Sequence, residues 1–134
     1  MRSAAALDHV TITTDDFARS AAFYDAALGA LGMTRLRELV DEEEDDPVVE
    51  AAAWGADGDR ACVWLVSGTT PTTGLHLQLR VESRVEVETF FAEAVAHGGV
   101  PHFAPRRWTP YRRGEFQAIA RDPGGNLVEA CSAE

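Results

Sequence analysis

Apolar and polar residues alternate cleanly in two stretches of this chain, and each stretch is followed by a helical stripe. In Leu7-Asp8-His9-Val10-Thr11-Ile12-Thr13, Val10 and Ile12 fall on one face and His9 and Thr11 on the other, which predicts a half-buried strand. Asp15 and Asp16 then supply acids where a helix N-terminus favours them. Phe17, Ala21, Tyr24, Leu28 and Leu31 recur at steps of three and four, predicting an amphipathic helix that closes near Gly29 or Gly32. Three short strands follow, Met33 to Val40, Val48 to Gly55 and Ala61 to Ser67, separated by an acidic loop and by Ala56-Asp57-Gly58-Asp59. The unit reads βαβββ.

After the turn-rich seam Gly68 to Gly74 the pattern restarts. Leu75, Leu77, Leu79 and Val81 alternate with His76, Gln78 and Arg80, so the three polar side chains share one face of a strand. Ser83-Arg84-Val85-Glu86 is a capping box, and Val87, Phe90, Phe91, Ala94 and Val95 form the stripe of a helix stopped at Gly98-Gly99. Strands at about Pro101 to Pro105, Glu115 to Arg121 and Asn126 to Cys131 complete a second βαβββ unit. Adding 67 to a position carries His9 onto His76, Tyr24 onto Phe91 and Gly32 onto Gly99, and the same offset carries Gly58 onto Gly125. A strand His, a helix-ending Gly and a hairpin Gly that keep one offset mark a repeated unit, whereas apolar helix positions alone would not. The 134 residues therefore form one domain, with unit one at about 5–67, a linker at 68–74 and unit two at about 75–134.

Asp122-Pro123-Gly124-Gly125-Asn126 is a tight-turn sequence. It leads into Leu127-Val128-Glu129-Ala130-Cys131, where a carboxylate interrupts an apolar strand and needs a partner. That partner is a metal ion, a hydrogen-bonding Arg or Tyr, or water at the strand end.

Charge removes some functions from consideration. A formal net charge of -10 opposes nucleic-acid or anionic-membrane binding, and all 12 basic residues are Arg. Asp41 to Asp46 is a run of six carboxylates, expected as a solvated loop. The first residues are too short and too weakly apolar for a signal peptide, and no run has the roughly 18 apolar residues of a membrane span, so the expected location is cytoplasmic. Cys62 and Cys131 lie in apolar runs without a paired motif and are expected as reduced, buried thiols without a catalytic role. Trp54 and Trp64 fall on predicted strands, as core or cleft wall. Arg106 to Arg113 concentrates Arg around Trp108 and Tyr111. It reads either as a flap clamping an anionic or planar substrate, or as an exposed loop that pairs with the acidic surface or a second copy.

Two such units bury their helices if each set of strands curves with its helix outside. The expected fold is α+β, an incomplete eight-stranded, barrel-like sheet around a cleft that the His-bearing faces line. Leu7-Asp8-His9-Val10, the Leu75-His76-Leu77 restart with its Phe90-Phe91 helix, and Asp122-Pro123-Gly124-Gly125-Asn126 leading to Glu129 resemble the vicinal oxygen chelate superfamily of glyoxalases, bleomycin-resistance proteins and extradiol dioxygenases. The resemblance covers nearly the whole chain. It implies a divalent metal (Fe, Mn, Ni or Zn) held by His9, His76 and Glu129. The offset places Cys62 opposite Glu129, and none of Ala61, Cys62, Val63 and Trp64 is a usual hard-metal ligand. Two His and one carboxylate are similar to a three-ligand facial triad with open positions. The resemblance thus implies a metal-dependent lyase, isomerase or extradiol-type dioxygenase acting on a small oxygen-rich substrate, in a homodimer. Tyr111 and Gln78 are then candidate acid or base groups, with Thr11, Arg107 and Trp108 as candidate substrate contacts. The other reading is a metal-free binding protein of the bleomycin-resistance type, whose acidic surface attracts cationic compounds.

Overall fold

Local periodicity places the elements. The computed structural model describes residues 3–41, 45, 48–56, 60–108 and 115–134. Unit one contains β1 (Val10–Thr14), α1 (Phe17–Gly29), β2 (Thr34–Val40), β3 (Val49–Gly55) and β4 (Val63–Ser67). Unit two contains β5 (His76–Arg80), α2 (Arg84–Ala96), β6 (Val100–Trp108), β7 (Glu115–Arg121) and β8 (Leu127–Ser132). Asp16 caps α1, its side chain accepting from the Arg19 N–H. Ser83 caps α2 in the same way through Glu86 N, and its hydroxyl also donates to Glu86 Oε1 at 2.9 Å, so the Glu reaches the cap's side chain. No helix among the described residues is long and apolar enough to cross a membrane.

The strands form two four-stranded sheets, ordered β1-β4-β3-β2 and β5-β8-β7-β6, and the barrel is not closed. In each sheet the first and last strands of the unit run parallel and the other neighbours antiparallel. Pairing register shows that the repeat slips. Val10 pairs with Val63, 53 residues on, whereas the equivalent Leu77 pairs with Val128, 51 residues on. The 67-residue offset therefore becomes 65 on the last strand. The residue equivalent to Glu129 is Trp64 rather than Cys62, because Trp64 pairs with Thr11 as Glu129 pairs with Gln78.

Both helices and the helix-facing strand residues share one core, which includes Ile12, Phe23, Tyr24, Trp54, Leu65, Phe90 and Val128. Each such side chain contributes roughly 1.5–3 kcal/mol of gross burial free energy. Phe23 lies beside the stripe that periodicity marks on α1, yet it is fully buried. The reason is a second neighbour: α1 packs on α2 as well as on its own sheet. Gly99 permits that approach, since a Cβ there would stand 2.6 Å from the Ala94 carbonyl oxygen and 2.7 Å from Phe23 Cε2. Gly99→Ala is accordingly expected to cost about 1–3 kcal/mol through overpacking. The check is a lowered urea midpoint at an unchanged slope.

Candidate functional site

The turn from Asp122 to Asn126 is the joint between the two units. Asp122 is buried, and its Oδ1 accepts from Asn126 N at 2.8 Å while Oδ2 accepts from the Tyr24 hydroxyl at 2.6 Å and from Asn126 Nδ2 at 3.2 Å. Asn126 in turn donates to the Thr72 carbonyl and accepts from Leu75 N. One turn thus fixes the linker, the start of β5 and the other unit's helix. Gly125 completes the reversal with φ +92°, a conformation that favours Gly. Burial, with the Asp122 charge second, pushes the Tyr24 phenol well above its ordinary value of 10.0.

This joint positions the polar face of the second sheet. Gln78 and Glu129 are register partners, as are His76 and Leu127. His76 Nε2 lies 2.7 Å from Glu129 Oε1, and Gln78 Nε2 donates to Glu129 Oε2 at 3.2 Å. The Glu129 side chain is only 4% exposed while that of His76 is 49% exposed, so a buried carboxylate is presented to solvent through an open imidazole. The carboxylate's predicted need for a partner is met by these two side chains, with neither Arg nor Tyr among them. Cys131 lies one row further along this face, opposite Arg80. It is buried, and that burial pushes its thiol above the ordinary value, against the effect of a hydrogen bond with Gln78.

His9 stands elsewhere, one residue before β1, on the polar face of the first sheet. Its Nδ1 lies 2.9 Å from Asp8 Oδ2. The same bond, ahead of the other contributions, holds the Asp8 carboxyl below its usual range. An ionised carboxylate only accepts, so Nδ1 is the donor of this bond, and Nε2 makes no hydrogen bond among the described residues. His9 borders a cleft of about 400 Å³ lined by Asp8, Arg37, Arg60, Ala61 and Trp64, all of unit one. Gly55 builds part of that rim, because the Arg60 carbonyl packs where a Cβ would otherwise stand.

The structure therefore brings Gln78, His76 and Glu129 together and leaves His9 on the other sheet. Among the described residues no group of three or more His, Cys, Asp or Glu side chains is placed to hold a metal. The His76–Glu129 pair supplies two of the three donors such a site needs. Two donors of one cation at about 2.1 Å and near right angles stand about 3 Å apart, close to the 2.7 Å seen here. Thr11 lies exposed on β1, in the same row as Trp64. Arg106, Arg107 and Trp108, expected in a loop, lie on β6 and pair with β7. Arg107 also donates to the Glu134 main-chain oxygen at 3.2 Å. Tyr111 lies outside the described residues. Arg37 and Arg60 were not marked by the sequence, since an isolated Arg on a strand or turn carries no periodic signal.

The sequence profile of the glyoxalase, bleomycin-resistance protein and dioxygenase superfamily matches residues 6–130. No curated protein matches the sequence. Among solved structures, a glyoxalase/bleomycin resistance protein from Albidiferax ferrireducens T118 is similar at 23% identity and TM-score 0.73, over 95% of this chain and 98% of that one. Glyoxalase I from Zea mays is similar at 20% identity and TM-score 0.64, over 94% of this chain but 44% of that one. TioX from Micromonospora sp. ML1 is similar at 18% identity and TM-score 0.59, over 97% of this chain and 100% of that one. At these identities the likenesses establish the fold.

Proposed function

Since the chain belongs to the glyoxalase, bleomycin-resistance protein and dioxygenase superfamily, we propose that it is a metal-dependent enzyme acting on a small oxygen-rich substrate, with each site completed between two copies. One observation carries the reading: a buried Glu129 carboxylate is 2.7 Å from a half-exposed His76 on the polar face of the second sheet. His76 and Glu129 of one copy would hold the ion, with His9 of the second copy as third donor through Nε2, the ring nitrogen turned away from Asp8. Asp8 orients that ring from behind, as carboxylates do for metal-bound His. Trp64, at the position equivalent to Glu129, offers no fourth donor, so coordination positions stay open to substrate. A divalent ion held there would supply Lewis-acid stabilisation of negative charge on substrate oxygens. Gln78 holds Glu129 Oε2 and so fixes the carboxylate's orientation, a positioning rather than a proton-transfer role. Tyr111, Thr11, Arg107 and Trp108 stay as proposed acid, base and substrate contacts. Symmetric pairing of two copies repeats the arrangement, giving two equal sites.

Complementation tests this. Titration with Fe(II), Mn(II), Ni(II) or Zn(II) should show about one ion per chain, bound by a dimer. His9→Ala and His76→Ala should each abolish uptake as homodimers. Co-refolded together, they should recover one site per heterodimer, because one of its two sites keeps both His residues. Uptake by a monomer, or a mixture that stays empty, overturns the shared site.

A second reading, a metal-free small-molecule binding protein, is favoured by Trp64 and the two Arg residues beside His9. It predicts ligand binding with no metal uptake by any variant.

A further inference from the structure

The cleft beside His9 carries a ligand preference of its own. Register places Arg37 opposite Ala53, Ala53 opposite Trp64 and Trp64 opposite Thr11, so the four share one face of the first sheet. Arg37 and Trp64 are two strands apart, about 10 Å at the backbone. Only a methyl group stands between them, which lets a guanidinium and an indole converge on the same cleft. Arg60 joins them from the other side, its backbone seated against Gly55.

The charges can be counted. Asp8 is bonded to His9 and lies 3.6 Å from Arg60, which offsets one guanidinium. Arg37 makes a single long contact, 3.4 Å to the Leu36 carbonyl, and has no acidic partner among the described residues. Among the described residues the cleft's lining thus carries one positive charge in excess, within a chain of formal net charge -10. A guanidinium fork matches a carboxylate, and the indole presents a flat apolar wall.

We propose that this cleft binds a monoanionic aromatic carboxylate, its carboxylate on Arg37 and Arg60 and its ring against Trp64. A dianionic phosphate fits less well, because only one positive charge is unbalanced and the wall opposite is apolar. The proposal rests on reading this face as the ligand side of the catalytic site, and it requires no metal.

Calorimetric titration of metal-free protein in EDTA tests it, with benzoate, its neutral isostere benzamide, and inorganic phosphate as probes. Benzoate should bind at least about tenfold more tightly than benzamide and than phosphate. Arg37→Met and Arg60→Met should each weaken benzoate about fivefold or more, with unchanged melting temperature since both side chains are exposed. Trp64→Leu should weaken benzoate and benzamide alike. Equal affinity for benzoate and benzamide, or no benzoate binding by folded wild type, overturns the proposal. Phosphate binding as tight as benzoate reduces the cleft to a general anion patch and overturns it also. Metal uptake without benzoate binding sinks this proposal alone, whereas benzoate binding in EDTA without metal uptake by untreated protein sinks the metal reading alone.

Discussion

Asp122→Ala is expected to destabilise the protein by about 3–5 kcal/mol, the largest loss from a single side chain outside the apolar core. The carboxylate satisfies the Tyr24 hydroxyl and both the backbone and side-chain N–H groups of Asn126, all in buried surroundings. Its removal leaves those donors without acceptors, and each buried unsatisfied donor costs about 1–3 kcal/mol. Against a total stability of roughly 5–15 kcal/mol this is a large fraction. Asn126 would also lose its hold on Thr72 and Leu75, so the linker should open together with the start of β5. Hydrogen exchange should show lost protection at both places along with a lowered urea midpoint. A variant with a near-native midpoint would mean that the apolar core, rather than this turn, holds the two units together.

Tyr24→Phe separates the parts of that joint. It removes one donor and leaves Asp122 bonded to Asn126, for a cost of about 1–2 kcal/mol. It should also change the alkaline limb of stability. In the folded protein the phenol is held above its ordinary value of 10.0, so the contribution is complete below that value. It is lost as pH rises beyond it, because the unfolded chain ionises first. Wild type should therefore lose stability between about pH 10 and 11 more steeply than Tyr24→Phe does.

Glu129→Gln is expected to weaken metal binding by at least about 100-fold, more than loss of an outer-shell partner usually costs. The unloaded protein should melt at the same temperature or slightly higher. The two readouts diverge because the side chain is 4% exposed. Burying a carboxylate against a His and an amide costs desolvation that the contacts offset only in part. The amide would still offer His76 an acceptor. Were Glu129 simply a structural partner of His76, the substitution would lower stability and leave metal uptake unchanged. Calorimetric titration of metal together with a melt of the unloaded protein decides between these outcomes.

Much of this fold was legible because its signals are local. Alternation in Leu75 to Val81 marks a strand face whatever lies beyond it, and Ser83 and Glu86 mark a helix start within one turn. The apolar stripe of α1 showed its sheet-facing side but gave no sign of Phe23, because the second neighbour that buries Phe23 comes from the other unit. The acidic run carries no such pattern and was readable only as a connection, and Arg106 to Arg113 left a flap and an exposed loop as equal readings.

By itself the sequence determined two βαβββ units, the faces that carry His9, Gln78, His76 and Glu129, and the turn at Asp122, since each rests on spacing within a few residues. Tertiary structure decided three things that spacing cannot contain. Strand pairing shifted the repeat by two residues and put Trp64, not Cys62, at the place equivalent to Glu129. Parallel pairing of β5 with β8 brought His76 to Glu129, 53 residues away, while His9 stands one residue before β1 and borders its own cleft. Folding of the chain around Gly55 brought Arg60 to Arg37 and Trp64. The physical reason is common to all three: such contacts join residues distant in the chain, and their geometry is fixed by register and close packing rather than by any periodicity along it.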